Sequence, residues 1–445
     1  MLPRELANFI CDTLQHQGYQ AFLVGGCVRD IVLGREPADY DVSTDATPDR
    51  VLQLFPDTLD VGAQFGVVLV KHGDIKVEVA TFRKDLGYSD GRHPDRVLYA
   101  ARPEEDVSRR DFTINGLLMR HDTNEVLDFV GGQADLKARV IRAIGEPERR
   151  FTEDKLRMLR AVRFASRFGY AIESHTFAAI HRHAPEIHSV SAERIREELS
   201  KLLTEGAARL GFELLDKTRL LQQLLPEISA MKGVPQPPEY HPEGDVWIHT
   251  RMMLDDLPAG VSRTLAWGVL LHDVGKPPTF RAASATGDRI RFDNHAEIGT
   301  TMVGAICKRL KFSKGETEQV QALVANHMKF KDVAQMRTST LKRFVRLPHF
   351  DEHLELHRLD CLASHGHLEA YEAVRQFLCQ TPPDQVKPTR LLTGDDLSEM
   401  GYLPGPAFQP ILRALEDAQL EGALSTKEEA KAFVRSNYPL RKVGR

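Results

Sequence analysis

No run within these 445 residues is apolar over the length of a membrane span, and the first turns already carry Arg4, Glu5 and Asp12. Neither a spanning helix nor a secretory leader is expected. Paired cysteines are missing too. The five present, Cys11, Cys27, Cys307, Cys361 and Cys379, follow neither a disulfide framework nor a zinc-finger spacing, which argues for buried free thiols in a reducing, cytoplasmic compartment and against structural zinc. There is no internal repeat and no low-complexity tract, which removes repeat architectures. The net charge is only −4, so the chain as a whole shows no excess of one sign to mark a polyanionic partner. What remains is a soluble globular balance, 42% hydrophobic and 27% charged, at a length that suits about three domains.

What the chain holds is a set of short motifs in order. Ala21-Phe-Leu-Val24 is an apolar run closed by Gly25 and Gly26, and Val28 to Leu33 carries apolar residues at helical spacing; the pattern reads as strand, tight turn, helix. Backbone N–H groups left free at such a glycine turn suit a triphosphate. Asp39 and Asp41 follow, separated by Tyr40. In an extended segment residues i and i+2 share a face, so the two carboxylates can hold one or two Mg²⁺ ions, which would lower the charge on an α-phosphate and activate a ribose 3′-OH. Each piece alone is weak, because Asp-x-Asp is commonly a solvated turn; the order within one domain-sized stretch gives the set its weight. From Lys137 to Arg167 ten Lys and Arg stand against four acids, a local excess where phosphate binding would place it. Within it Asp154 and Arg157 are three apart, a spacing that predicts one helix face presenting an acceptor and a planar donor fork. Against cytosine the carboxylate can accept from the N4 amine while the guanidinium donates to N3 and O2, and adenine offers its N6 amine and N1. Uracil and guanine bring carbonyl oxygens to the carboxylate and are rejected. An ordinary surface pair with Glu153 is the plain alternative.

Gly25-Gly-Cys-Val-Arg-Asp30 with Asp39 and Asp41, Arg110-Asp-Phe-Thr-Ile-Asn115, Asp128-Phe-Val-Gly-Gly-Gln-Ala-Asp135 and Glu153-Asp-Lys-Leu-Arg157 together resemble the ordered motifs of the bacterial-type (class II) tRNA nucleotidyltransferases, the CCA-adding enzymes and their poly(A) polymerase relatives. The resemblance covers about the first half of the chain. It implies an α+β fold, with a small mixed-sheet head followed by all-α neck, HD and tail regions. It also implies that Asp39 and Asp41 are the catalytic Mg²⁺ ligands, that Gly25, Gly26, Arg29, Arg110, Asp111 and Asn115 contact the nucleotide, and that Glu153, Asp154 and Arg157 act as an amino-acid template for CTP and ATP. Arg160 and Arg163 continue the template helix toward phosphate or simply solvate it. Arg29 and Asp30 orient triphosphate and metal ligands or cap a helix. Glu78 is either a third carboxylate or an exposed strand residue. The polar stretch Tyr88-Ser-Asp-Gly-Arg-His-Pro-Asp95 looks like the flexible loop with which CCA-adding members change from C to A, or is a plain surface loop.

A separate constellation lies farther on: His249, His272-Asp273, His295, His327 and Asp360. A His-Asp dipeptide after the apolar run Leu265 to Leu271, with flanking histidines and a distant aspartate, supplies imidazole and carboxylate ligands from several helices to one or two divalent metals. It resembles the HD phosphohydrolase domain, with Gly275 and Lys276 completing the His-Asp-x-Gly-Lys form and Lys276 available for a phosphate. A metal there could activate water for phosphoester hydrolysis at tRNA ends, or the domain could persist as scaffold.

Four regions are expected. Residues 1–145 form the nucleotidyltransferase head and 146–232 a helical neck with the template motif. Residues 233–378 form an HD metal-binding helical domain behind a proline-rich linker, and 379–445 a helical, tRNA-binding tail. The expected function is addition of CMP, CMP and AMP, from CTP and ATP, to tRNA 3′ ends without a nucleic-acid template. An A-adding enzyme or a poly(A) polymerase is the rival within the class, although Val61-Gly-Ala-Gln-Phe-Gly-Val-Val-Leu-Val70 lacks the paired basic residues of polymerase relatives. An HD metallophosphohydrolase with a non-catalytic RNA-binding head is the rival of another class, opposed by the intact Asp39 and Asp41.

Overall fold

The computed structural model describes residues 1–62, 66–87, 96–283 and 289–440. The stretch 88–95, read above as a specificity loop, lies outside the described residues, as do 63–65 of the segment compared with polymerase relatives. The chain divides into two compact units, one of residues 1–230 with 257–261 and 309–312, the other of 231–256, 262–308 and 313–445.

The first unit is built on strands β1 (Ala21–Val24), β2 (Asp41–Thr44), β3 (Thr58–Gly62), β4 (Val67–His72), β5 (Ile75–Thr81), β6 (Arg83–Leu86), β7 (Arg96–Tyr99), β8 (Leu117–Met119) and β9 (Val126–Asp128). Its main sheet has the order β3-β4-β5-β2-β1-β8-β9, with β6 and β7 paired apart. The sheet is mixed because β2 runs parallel to β5 but antiparallel to β1. All four residues of β1 are buried, which is why a central strand reads as an unbroken apolar run. Helix α1 (Pro3–His16) lays Leu6, Ile10 and Leu14 on the sheet, the i, i+4, i+8 stripe of an amphipathic helix. Glu5 closes its first turn by accepting the Leu2 N–H at 2.7 Å. Shorter helices α2 (Gly26–Val32), α3 (Pro48–Leu54), α4 (Pro103–Ser108) and α5 (Gly132–Ala138) fill the connections.

Strand β10 (Val140–Ile141) pairs in parallel with β11 (Ala171–Ile172), and between and beyond them run α6 (Pro147–Glu153), α7 (Leu156–Phe168), α8 (Ser174–His183), α9 (Ala192–Thr204), α10 (Ala208–Lys217), α11 (Leu220–Leu224) and α12 (Pro226–Ser229). The single helix expected to carry Glu153, Asp154 and Arg157 is instead two helices. Asp154 is extended, with φ −147° and ψ 107°, and its Oδ1 accepts the Leu156 N–H at 3.0 Å. Aspartate offers the backbone this local bond in place of helix continuation.

The second unit is helical: α13 (Val246–Asp255), α14 (Arg263–Leu271), α15 (Lys276–Thr279), α16 (His295–Arg309), α17 (Lys314–Asn326), α18 (Thr338–Phe344), α19 (Phe350–Ala363) and α20 (Glu369–Gln380). The short strands β12 (Phe280–Arg281) and β13 (Arg291–Phe292) form a hairpin before α16. Ser262 caps α14 and Ser313 with Glu316 forms a capping box on α17, so both helix starts are set by local chemistry. From Leu265 to Leu271 every residue of α14 is buried, as befits a helix surrounded by others. The tail, α21 (Pro383–Val386), α22 (Gly394–Glu399), α23 (Phe408–Leu420) and α24 (Lys427–Asn437), encloses a small core of Leu392, Leu397, Ile411, Leu415 and Val434. Among the described residues no helix is long and apolar enough to cross a membrane.

Candidate functional site

In the first unit the chemistry gathers around the glycine turn. Gly25 has φ +77° and ψ −128°, a conformation open to glycine, and a Cβ there would meet Nη1 of Arg110 at 3.3 Å. The turn thus lets a guanidinium lie against its backbone. Arg110 and Arg109 both donate to Asp106, at 3.1 and 2.7 Å. Asp106 is fully buried; burial would raise its pKa, but the Arg110 and Arg109 charges hold it below the ordinary carboxylate range. Sequence reasoning missed this residue, whose only signal is its i, i+3 and i, i+4 spacing from the two arginines.

A second network continues inward. Arg29 donates to Asn115 Oδ1 at 2.6 Å, Asn115 to Asp111 at 3.2 Å, and Arg160 to the other Asp111 oxygen at 2.8 Å. Burial works against the Asp111 charge, yet Arg160 draws its pKa down to about 2. Arg29 also lies 4.7 Å from the centre of the Phe168 ring, a cation–π contact. Arg163 does not join this group. It is buried and donates to Glu198 at 2.7 Å and Glu205 at 3.2 Å, so it neither solvates the helix nor is left free for phosphate: its charge is spent on these two carboxylates.

Asp41 opens β2 directly across from Glu78 of β5, and exposed Asp39, just before the strand on the other side of buried Tyr40, is near enough for its charge to act on Asp41. Burial first, then the Glu78 charge, pushes the Asp41 carboxyl up to about 6, with Arg110 pulling the other way. These neighbouring donors are all oxygen. The Cys27 thiol behind them is pushed up to about 11 by burial and supplies no thiolate, so the donor set fits a hard cation such as Mg²⁺.

Asp154 and Arg157 do not pair with each other. The Asp154 Oδ2 accepts from Arg194 at 2.7 Å. Arg157 donates to Glu153 at 2.9 Å and to the carbonyls of Arg150 and Arg109 at 3.3 and 2.9 Å.

In the second unit the structure brings all six expected ligands together. The donor atoms of Asp273, His295 and His327 lie within 4.8 Å of one another, as do those of His249, His272 and Asp360. Three of the imidazoles are oriented alike. His272, His295 and His327 sit at helix ends, and each Nδ1 meets the carbonyl three residues earlier, Val269, Phe292 and Val324, at 2.8, 2.9 and 2.7 Å. The bond fixes the tautomer and leaves Nε2 as a lone pair. His249 Nδ1 meets Glu243 Oε1 at 2.7 Å and its Nε2 faces Asp360; burial opposes its charge, yet the two carboxylates raise its pKa to about 9, so a cation bound there would replace a proton. The buried Nε2 atoms of His249 and His272 lie 3.1 Å from Asp360 and Asp273 oxygens but make no hydrogen bond, an arrangement that fits ligands aimed at a shared cation. Burial drives His327 down to about 4, so it is neutral and able to coordinate. Gly275 permits the approach of α16, since a Cβ there would stand 2.1 Å from the His295 carbonyl oxygen.

Lys276, expected to await a phosphate, is buried between Asp273 Oδ2 and Gln236 Oε1, at 2.7 and 2.6 Å. A cavity of about 670 Å³ opens onto the cluster and is lined by Lys276, His241, Arg289, Arg291 and Lys331 among others. Sequence reasoning also missed Glu243 and His241, which share one bond; a His-x-Glu step six residues before His249 is the signal that was there.

Family models match three segments: a poly A polymerase head domain at residues 21–142, a probable RNA and SrmB-binding site of polymerase A at 169–232, and an HD domain at 244–356. The CCA-adding enzyme of Levilactobacillus brevis is 32% identical over 96% of this chain and 96% of its own length. That of Leuconostoc mesenteroides is 44% identical over 50% of this chain and 56% of its own. Among solved structures, the Bacillus stearothermophilus CCA-adding enzyme in complex with CTP superimposes with a TM-score of 0.75 at 27% identity, covering 98% of both chains. The Thermotoga maritima CCA-adding enzyme complexed with tRNA shares the fold, at a TM-score of 0.59 and 18% identity over 97% of this chain and 94% of that one.

Proposed function

Because this chain belongs to the CCA-adding enzymes, we propose that it appends C, C and A to tRNA 3′ ends, taking CMP and AMP from CTP and ATP without a nucleic-acid template. It is a nucleotidyltransferase whose partners are tRNA, CTP and ATP, and the cytoplasm, where all three are available, is its place of action. The observation that carries the site assignment is Asp41, paired across the sheet with Glu78 and pushed up to about 6 by burial and then by that charge, against the pull of Arg110, whose guanidinium lies against the glycine turn. Asp39 and Asp41, with Glu78 beside them, would hold Mg²⁺; when bound it lowers the negative charge that opposes attack on the α-phosphate. Gly25 and Gly26 leave backbone room for the triphosphate and Arg110 carries charge to it. Arg29, Asn115, Asp111 and Arg160 hold the wall of the site through their hydrogen bonds. Asp154 accepts the amine of cytosine or adenine and Arg157 donates to the ring, so uracil and guanine are refused.

The experiment supplies tRNA lacking CCA, lacking CA, or lacking only A, with CTP and ATP separately and together. Stepwise completion of all three is expected. Addition of A alone identifies an A-adding enzyme, A tails beyond the natural end identify a poly(A) polymerase, and no incorporation into any of them leaves only the HD chemistry.

The convergence of Nε2 lone pairs and carboxylates supports a second assignment. His249, His272, Asp273, His295, His327 and Asp360 would hold one or two divalent metals, which when bound activate water for phosphoester hydrolysis at RNA ends. Metal analysis of the whole protein beside phosphatase and cyclic phosphodiesterase assays tests it, and a protein that binds no divalent metal there counts against it.

A further inference from the structure

Base reading by side chains demands that the readers be held still, and the two readers here are held by different residues. Arg157 rests on Glu153 and on two backbone carbonyls. Asp154 stands between the two helices with an extended backbone, its N–H donating to the Arg150 carbonyl and its own carbonyl accepting from Arg157; the local bond to its carboxylate is the Leu156 N–H on Oδ1. The other anchor comes from forty residues away, where Arg194 in the first turn of α9 donates to Oδ2 at 2.7 Å. A cation at the start of a helix opposes the positive end of its dipole, so local electrostatics do not account for arginine there; the contact with Asp154 does. Each carboxylate oxygen has two lone pairs, so Oδ2 can receive Arg194 and still accept a base amine.

We propose that Arg194 is a positioning residue for base selection, which holds the Asp154 carboxylate in the one orientation that accepts the amine of cytosine or adenine. The proposal rests on the reading of Asp154 as a base reader. Without Arg194 the carboxylate keeps one anchor and can swing, and an acceptor that swings no longer opposes a carbonyl oxygen at a fixed point. Discrimination is lost before turnover is, because Arg194 reaches neither the triphosphate nor the Asp39 and Asp41 carboxylates.

The test measures kcat/KM for CTP, ATP, UTP and GTP singly on tRNA lacking CCA, using the full chain as wild type, Arg194→Ala, Arg194→Lys, Asp154→Ala and the Asp154→Ala/Arg194→Ala double variant. Arg194→Ala is expected to lower the CTP-over-UTP ratio at least tenfold, Arg194→Lys to restore it to within about threefold, and the double variant to match Asp154→Ala alone. A wild-type ratio in Arg194→Ala, with only a lower melting temperature, reduces the contact to a structural ion pair and overturns the proposal. So does an equal further loss in the Asp154→Ala background, which would place Arg194 on another path. A tighter KM for CTP at full discrimination in Arg194→Ala also overturns it, because Arg194 would then be a lock on the empty site. If Asp154→Ala itself leaves the ratio unchanged, the base-reader assignment falls with it; if Asp154→Ala erodes the ratio and Arg194→Ala does not, this proposal falls alone.

Discussion

The two candidate ligand clusters of this chain hold charge in opposite ways. In the helical unit six candidate ligands converge, three of their imidazoles turned by the carbonyl three residues earlier and a fourth by Glu243. Around the glycine turn Asp41 and Glu78 pair across the sheet and repel one another, and burial with that charge leaves Asp41 reluctant to ionise. Among the described residues the groups of three ligands within 4.8 Å all lie in the helical unit. The difference teaches where binding energy resides. A cluster whose donors are already aimed needs only the ion, whereas a Mg²⁺ site of one or two carboxylates is completed by the phosphates that arrive with it.

The comparison can be broken most severely at Asp41. On the proposed reading, Asp41→Ala or Asp39→Ala should lower nucleotide incorporation by a factor on the order of 10³ or more while tRNA affinity changes little, because the loss falls on transition-state charge. Single-turnover rates beside a binding titration decide it; incorporation within tenfold of wild type in both variants removes the carboxylates from the chemistry. His272→Ala with Asp273→Ala should next abolish divalent metal in the helical unit while CMP and AMP addition continues, as measured by elemental analysis and primer extension of one preparation. Unchanged metal content would show that the aimed donors are not the ligands. A sharper probe is Glu243→Gln, which leaves every proposed ligand in place but weakens the partner of His249. Outer-shell changes of this kind cost about 10–100-fold in metal affinity, and calorimetric titration of metal into stripped protein should find that range.

The smallest effect has the least intuitive sign. The folded-state pKa of Asp41 is raised from its ordinary 3.8 to about 6, so the cost of ionising it is absent below pH 4, grows from there to about 6, and is carried whole at pH 7. Asp41→Asn removes that cost and should stabilise metal-free protein by on the order of 1–3 kcal/mol, seen as a higher melting temperature in EDTA. A lower one would mean that the carboxylate is not strained.

Much of this was legible in the chain, and the parts that were not share a cause. The gathering of His272, Asp273, His295 and His327 could be read because the His-Asp dipeptide follows an apolar run and His295 and His327 stand at helix ends. The strand, glycine turn and helix from Ala21 to Val32 were legible because their geometry is local. The break at Asp154 was not, since one side-chain bond to Leu156 outweighed the helical pattern on both sides. Glu243 and His241 were hidden by proline and glycine neighbours that read as a linker. Their importance lies in what they touch six and eight residues on. Arg163 misled in the other direction: a basic residue on a basic helix looks solvent-facing until Glu198 and Glu205, far along the chain, neutralise it.

The two-residue strand Val140–Ile141 limits how this molecule can be dissected. Its partner is Ala171–Ile172, and around the pair the Arg139 and Ile141 carbonyls accept from Ala171 and Glu173 while the Ala143 N–H donates to Thr176. A truncation at residue 145 would therefore sever a sheet, bare the otherwise covered ring of Phe112 where Phe164 meets it edge-on, and leave two carbonyls and an amide to water. Such a fragment is expected to be poorly soluble when expressed alone, and any cut meant to free the catalytic sheet has to fall beyond Thr176.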